Sequence, residues 1–487
     1  MDLGYSLASL KFNTNFPKGT LILFISLVGT LVSVFLYQKS PVYFGISLML
    51  LAALLVVRFK VYFVFYGLLS LSIPLSLELE LGSTKIFFPS EPLIGIAVLA
   101  YLFGLLWGHF KLIQSSKDYV LLSFPLLLLI LSFFSEDIII SFKYSLIISS
   151  YTITFYFLGR EVLFQKGALK LSFLLLMSGL VLTALWSIYQ FALRGFSFDL
   201  NRIFFRPFFT DHTLSGAVLA FASSALIVLL ATNVIKRRNR FWVGLMLVLF
   251  LVCLWIGQSR AAIISLPIGL FVAAFVLNRH LKKLFLVVIF IGISLVVLNF
   301  NSLVSSVYSN NSDSGKSNSS LTEQVTSVYN VSNDVSNLER INRWVTAWDM
   351  FLLKPITGFG PGTYQYTYIP FQRESLKTRM SITNPYIVKD GHGGTAHSEF
   401  LLALSEGGVF LFLSYLSFLF LWASSIYKTS KSESDPLIAA LLAGLGTLFF
   451  HSLFNNFLNV PMVAFLFWSG MAIIIYYPNR NEGEALN

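Results

Sequence analysis

The sequence predicts an all-α, polytopic integral membrane protein with about fourteen (twelve to fourteen) transmembrane helices and one large extracytoplasmic segment. Three observations carry this. Of 487 residues, 56% are hydrophobic and only 12% charged, with mean hydropathy +0.75, whereas soluble domains carry about 25% charged residues. Apolar runs of near-spanning length recur along the chain. Lysine and arginine are sorted between alternate connections.

The runs occupy residues 20–37, 41–57, 61–77, 91–108, 118–134, 142–160, 170–193, 213–232, 241–257, 261–277, 283–299, 409–427, 437–455 and 461–477. Several have only about 17 residues, the lower limit for a helical span, which sets the range in the count. The first, Thr20–Tyr37, is long enough to stay as an anchor instead of being cleaved as a signal. With the N-terminus inside, 19 of the 34 Lys and Arg fall on the inner side, 7 in short outer segments and 8 in residues 300–408. This asymmetry predicts cytoplasmic termini and an outer 300–408 segment. Three parts follow: a transmembrane bundle at 1–299, a large extracytoplasmic segment at 300–408, and C-terminal transmembrane helices at 409–487.

The net charge of +11 lies mostly in short loops, so it reads as topology and not as a nucleic-acid face. The single cysteine, Cys253, excludes an internal disulfide. Almost no charge falls within a run, although ion-coupled transport usually keeps ionisable groups at the midplane. Polar residues gather at outer ends: the Arg202–His212 loop, the Gln258-Ser259-Arg260 turn, the long segment and His451–Asn459. Chemistry at the outer face fits this distribution better than transport.

Within the long segment, Asn301–Asn337 is rich in Ser and Asn and reads as mobile. Ser336-Asn337-Leu338-Glu339 has the form of a capping box. Leu338, Ile341, Trp344 or Val345, Trp348 and Phe351 then recur at helical spacing, beside Arg340 and Arg343, to a stop before Lys354-Pro355. Such an amphipathic helix commonly lies in the interface with its apolar side toward lipid. Gly358-Phe359-Gly360-Pro361-Gly362 lacks the strand–helix context of a nucleotide loop and reads as a structural turn.

The stretch Gly391-His392-Gly393-Gly394-Thr395-Ala396-His397-Ser398-Glu399 delivers His397 to the start of a helix. Gly407-Gly408 then opens the run Val409–Tyr427, which places His397 about 18 Å above the point where that run begins, at about 1.5 Å per residue. A histidine there can handle protons near neutral pH; spacing alone equally permits a loop histidine with no role. Arg260, in a very short outer turn, suits either a snorkelling anchor to membrane lipids or a fork for a lipid phosphate. Arg206 makes a weaker version of the same case. Asp211 and His212 read as the end of that loop and a cap for the next helix.

Arg343-Trp344 through Pro355, Gly358-Phe359-Gly360, Ala396-His397-Ser398 and Glu406-Gly407-Gly408 together resemble the central signature of the O-antigen ligase and polymerase superfamily. Ser259-Arg260 and Arg206-Pro207-Phe208 to Asp211-His212 are similar to its upstream outer-loop motifs. The resemblance covers about residues 200–425. It implies a glycosyltransferase of the bacterial inner membrane that needs no metal or other cofactor. Such an enzyme moves a glycan from an undecaprenyl-diphosphate-linked donor to a glycan or lipid A–core acceptor at the periplasmic face. It implies His397 as general base, Arg260 and Arg343 as diphosphate ligands, and Arg340 as a near-equivalent. Arg206 and His392 join as substrate-binding candidates, and His392 is also the alternative base.

Twelve spans are common among ligases of this superfamily and fourteen among polymerases, so repeat-unit polymerisation stands as the alternative to ligation. Phe450–Asn456 reads either as helix-end packing or as a face of the site. Glu78 and Glu80 read as a solvated outer loop, not as the carboxylate pair of a metal-dependent transferase. A lipid-linked oligosaccharide flippase would need a cationic cavity within the spans, which the sequence does not show.

Overall fold

The computed structural model describes residues 41–81, 84–198, 203–232, 234–278, 335–378, 381–384, 393–431 and 435–484. These residues form the helices α1 (Pro41–Phe59), α2 (Tyr62–Ser72), α3 (Ser90–Leu106), α4 (Ser116–Ser132), α5 (Ile138–Val162), α6 (Ala168–Leu193), α7 (His212–Ala231), α8 (Arg237–Gly257), α9 (Arg260–Leu277), α10 (Val335–Leu353), α11 (Glu399–Thr429), α12 (Pro436–His451) and α13 (Pro461–Glu484). Of the described helices, α5 to α9 and α11 are long and apolar enough to cross a membrane, and α1, α2, α3, α12 and α13 supply shorter apolar pieces. The predicted runs 20–37 and 283–299, and the Ser/Asn-rich stretch as far as residue 334, lie outside the described residues.

Large apolar side chains point outward, among them Leu106, Phe420 and Phe241, each at least 70% exposed. In water such a surface would drive aggregation; in lipid it is the solvated face. The chain is thus a polytopic helical membrane protein. At its centre α7 is buried along nearly its whole length. Small residues permit this, because small side chains let helix backbones approach closely. A Cβ on Gly216 would lie 2.8 Å from Ser259 Cβ, and one on Gly269 of α9 would lie 2.6 Å from the Ala443 carbonyl of α12.

Three local expectations are corrected. Helix α2 stops at Ser72, and two strands pair antiparallel after it, β1 (Leu77–Leu81) with β2 (Thr84–Phe88). The Leu-Glu-Leu-Glu-Leu alternation is the period-two signal of a strand, so Glu78 and Glu80 belong to β1 and not to a plain loop. Helix α10 already includes Ser336, so the helix starts earlier than the capping-box reading places it. Glu339 pairs instead with Arg343 at 2.8 Å. Finally, α10 does not turn one whole apolar face to lipid. Ala347 and Met350 are fully buried in a small core with Phe359, Tyr364, Tyr368 and Leu402, while Leu352 and Leu353 are exposed. Its end at Leu353, before Lys354-Pro355, is as the sequence predicts.

The Gly358–Gly362 turn is a docking device. Phe359 N–H donates to the Ser405 carbonyl (2.9 Å) and Gly360 N–H to that of Glu406 (2.8 Å). At Gly358, φ is +65° and a Cβ would lie 2.3 Å from the Glu406 carbonyl carbon, so only glycine fits. On the turn's other side, Ser141 Oγ donates to the Pro361 carbonyl at 2.8 Å. The long segment is thereby seated on α11 and on the start of α5. The opposite helix ends hold a different cluster: Arg160 pairs with Asp118 at 2.6 Å, both side chains fully buried, and the Tyr156 and Tyr476 hydroxyls donate to the same carboxylate at 2.7 Å.

Candidate active site

His397 immediately precedes Ser398, whose side chain caps α11 by accepting from Leu401 N–H at 3.4 Å. Its backbone is gripped from two directions. The indole N–H of Trp344 donates to the His397 carbonyl at 3.1 Å. From the α12–α13 turn, Asn456 Oδ1 accepts Ser398 N–H (3.1 Å) and the Ser452 carbonyl accepts Glu399 N–H (2.8 Å). Glu399 closes the clamp by accepting from the backbone N–H groups of Phe457 and Leu458 at 2.7 and 2.9 Å. Held in this way, His397 adopts φ +52°. A left-handed backbone on a non-glycine residue costs about 1–3 kcal/mol and persists only where its surroundings over-determine it.

The His397 ring is half-buried. Burial pushes its imidazole down to about 3, the Arg340 and Arg343 guanidinium groups add to the effect, and the Asp211 carboxylate opposes it. The ring is therefore neutral at pH 7, and a nearby anion, by favouring the imidazolium, would make it a stronger base. The charges of Arg340, Arg343 and Asp211, residues far apart in sequence, thus all act on this ring.

The two arginines of α10 are used differently. Arg343 is almost fully buried. Its Nε donates to Glu339 at 2.8 Å and its Nη1 to the Gly393 carbonyl at 2.7 Å. Its guanidinium lies 4.3 Å over the Tyr368 ring. These contacts make it a strut for the loop that carries His397. Arg340 is partly exposed, and its charge acts on both His397 and His451.

Asp211 caps α7 as the sequence predicts, accepting Thr213 N–H at 2.7 Å and Leu214 N–H at 2.9 Å. Arg206 is exposed, with Nε donating to the Thr210 carbonyl at 3.3 Å. Its loop packs on the Arg260 turn, since a Cβ on Gly257 would lie 3.2 Å from the Phe205 ring. Arg260 begins α9, after Gln258 at φ +49° and the cap residue Ser259. A cation at the positive end of a helix dipole is unfavourable by about 0.3–1 kcal/mol unless an anion offsets it. Among the described residues no hydrogen bond or ion pair joins Arg206 or Arg260 to His397. His392 lies outside the described residues. Among the described residues no group of three His, Cys, Asp or Glu side chains gathers as a metal site.

Sequence reasoning singled out His397 and the arginines as candidates, but not the charge of Asp211 acting on His397, nor the different settings of Arg340 and Arg343. A weak signal existed for the second. Glu339 and Arg343 stand four residues apart, the spacing of a helical ion pair, which marks Arg343 as engaged.

Among curated proteins none matches the chain. The stretch that contains Arg260, Arg340, Arg343 and His397, but not Arg206 or His451, matches a protein-family model, and over residues 245–416 the chain carries the Wzy_C domain of the O-antigen ligase family.

Proposed function

We propose that the protein is a metal-independent glycosyltransferase of the bacterial inner membrane, acting at the periplasmic face as an O-antigen ligase. It transfers a glycan from an undecaprenyl diphosphate carrier to a hydroxyl of an acceptor such as lipid A–core. The acceptor oxygen attacks the anomeric carbon, the bond from that carbon to the phosphate oxygen breaks, and undecaprenyl diphosphate leaves with the bonding electrons. His397 takes the acceptor proton. Arg260 and Arg340 stabilise the charge growing on the diphosphate, a form of stabilisation that is usually a large part of catalysis. Arg206 gives a weaker outer contact to the donor. Arg343 orients the histidine loop.

One observation carries this reading. A neutral histidine is clamped at positive φ between α10 and the α12–α13 turn, with a partly exposed arginine beside it. That is an expensive way to hold a loop and an economical way to aim a base. Repeat-unit polymerisation uses the same chemistry with a carrier-linked acceptor. Fourteen predicted spans, with both termini cytoplasmic, favour it over ligation, while the description of the matched family favours ligation.

The test is the glycan profile of a deletion strain, together with transfer by the purified chain in EDTA. Carrier-linked polymer that accumulates unattached indicates a ligase, and single attached repeat units indicate a polymerase. An unchanged profile, or activity lost to EDTA and restored by magnesium, overturns the proposed reaction.

A further inference from the structure

Between the ends of α11, α12 and α13 nearest His397 lies a small cavity lined by Glu399, Tyr415, His451, Ser452 and Asn455, with Phe457 and Phe467 among its apolar walls. His451 is 1% exposed and Asn455 4%. Among the described residues no hydrogen-bond partner lies within reach of either His451 ring nitrogen or of Asn455 Nδ2. Buried polar groups are overwhelmingly paired, and leaving one unpaired costs about 1–3 kcal/mol. Three such atoms on one cavity wall mark a place built to receive something polar.

Their chemistry narrows what that is. A neutral imidazole offers one donor and one acceptor, and the carboxamide nitrogen offers donors only. The adjacent Glu399 carboxylate disfavours an anion. A hydroxyl both donates and accepts, and so satisfies the set. The aromatic walls suit the C–H edge of a sugar. The enclosed space is narrow and admits a hydroxyl-bearing arm, not a whole ring. Its location is equally specific: Ser452 and Asn456 hold the two residues that directly follow His397, and Arg340 acts electrostatically on both histidines.

We propose that this cavity is the acceptor's hydroxyl subsite, in which His451 and Asn455 hold one hydroxyl of the acceptor saccharide and so aim a neighbouring hydroxyl at His397. The proposal rests on the glycosyltransferase reading above. His451 here binds substrate, while the proton goes to His397. His451 and Asn455, unlike Glu399 and Tyr415, also lie beyond the matched family domain, which ends at residue 416, as expected for residues that select this protein's own acceptor.

The experiment uses the full chain in lipid nanodiscs, carrier-linked donor extracted from the source membranes, and methyl glycosides of glucose, galactose, mannose and N-acetylglucosamine as acceptor probes. Transfer by the unsubstituted chain to its native acceptor tests the underlying reading separately. Given that transfer, at least one glycoside should compete with the native acceptor. Its half-effective concentration should rise about tenfold in His451→Gln and in Asn455→Leu, as expected for the loss of one hydrogen bond of about 1–1.5 kcal/mol. Donor affinity and melting temperature should stay near those of the parent. Asn455→Asp is the second variant should Asn455→Leu fail to fold: it keeps the size, removes the donor and should weaken the probe similarly. Absence of competition by every glycoside while native transfer proceeds overturns the subsite. So does an equal effect of the probe on parent and variants, which would leave the cavity to water alone.

Discussion

Arg343 and Glu339, one turn apart on α10, form a buried ion pair at 2.8 Å, and the same guanidinium holds the Gly393 carbonyl at 2.7 Å, four residues before His397. In the proposed reaction, a charge committed in this way acts through the loop it fixes.

Arg343→Gln leaves the Glu339 carboxylate buried without its cation, and breaking a buried pair from one side typically costs about 3–5 kcal/mol. The expected outcome is a clear fall in melting temperature and a large loss of transfer, with donor affinity changed by less than about threefold. Replacing both partners, Glu339→Gln with Arg343→Met, should recover part of the stability and little of the activity. Donor binding abolished at an unchanged melting temperature would instead make Arg343 a direct ligand.

The histidine has a pH signature. Its folded-state pKa, about 3, lies below the unfolded value of about 6.5, so between those values the unfolded chain binds the extra proton. The His397 contribution to stability is therefore complete above about pH 6.5 and is lost as pH falls toward 3. His397→Gln should flatten this part of the stability curve. In catalysis, the acid limb of kcat/KM reports the free enzyme and should fall well below pH 6.5, whereas that of kcat should lie higher because the bound diphosphate favours imidazolium. Arg340→Gln should raise the kcat/KM limb by removing a neighbouring cation. Coincident limbs that Arg340→Gln does not move would remove His397 as the base.

Much of this arrangement is legible in the sequence because lipid imposes simple rules. Twelve of the fourteen apolar runs begin or end near described helices, since an unpaired backbone in hydrocarbon is costly and spans must be helical. His397 stands out because glycines and a helix start frame it. Other features depend on partners that no local pattern encodes. The cavity beside His451 needs α11, α12 and α13 together, and the Trp344 bond to the His397 carbonyl spans 53 positions. The α2 boundary fails differently, because β1 is apolar enough to extend the run and only its alternation betrays a strand.

Sidedness is open to a direct test. Cys253, the single cysteine, is buried, so introduced thiols meet little background. Glu374 is highly exposed in the long segment, and Arg238 stands at the start of α8. In intact cells permeable at the outer membrane, a membrane-impermeant maleimide should label Glu374→Cys and not Arg238→Cys. Equal labelling would overturn the periplasmic placement of the site.

At the other end of the helices, the Asp118–Arg160 pair serves the fold alone. Asp118→Asn removes the closer of the two carboxylates paired with buried Arg160, the other being Glu161 at 3.3 Å, so the loss should stay below the about 3–5 kcal/mol typical of breaking a lone buried pair. Lower yield and melting temperature should accompany normal acceptor and donor KM values in the protein that folds. A selective change in either KM at parental stability would mean that this cluster communicates with the site.

Arg260 gives the sharpest division between a ligand and an anchor. It begins α9 where the helix dipole already presents positive charge, so the arrangement favours an anion close by. A diphosphate held by a guanidinium fork gains about 1.5–3 kcal/mol from a charge-assisted hydrogen bond. Arg260→Ala should therefore weaken donor binding by roughly 10- to 150-fold and reduce turnover as well. His397→Ala should abolish transfer while leaving donor affinity within about threefold of the parent, because its proton comes from the acceptor. Arg260→Lys should recover only part of the binding, since lysine keeps the charge and loses the planar fork. Binding of labelled undecaprenyl diphosphate donor to purified variants, beside a transfer assay, measures each step. If Arg260→Ala binds and turns over donor normally, the guanidinium anchors the turn to lipid headgroups, and donor recognition falls to Arg340 and its neighbours on α10.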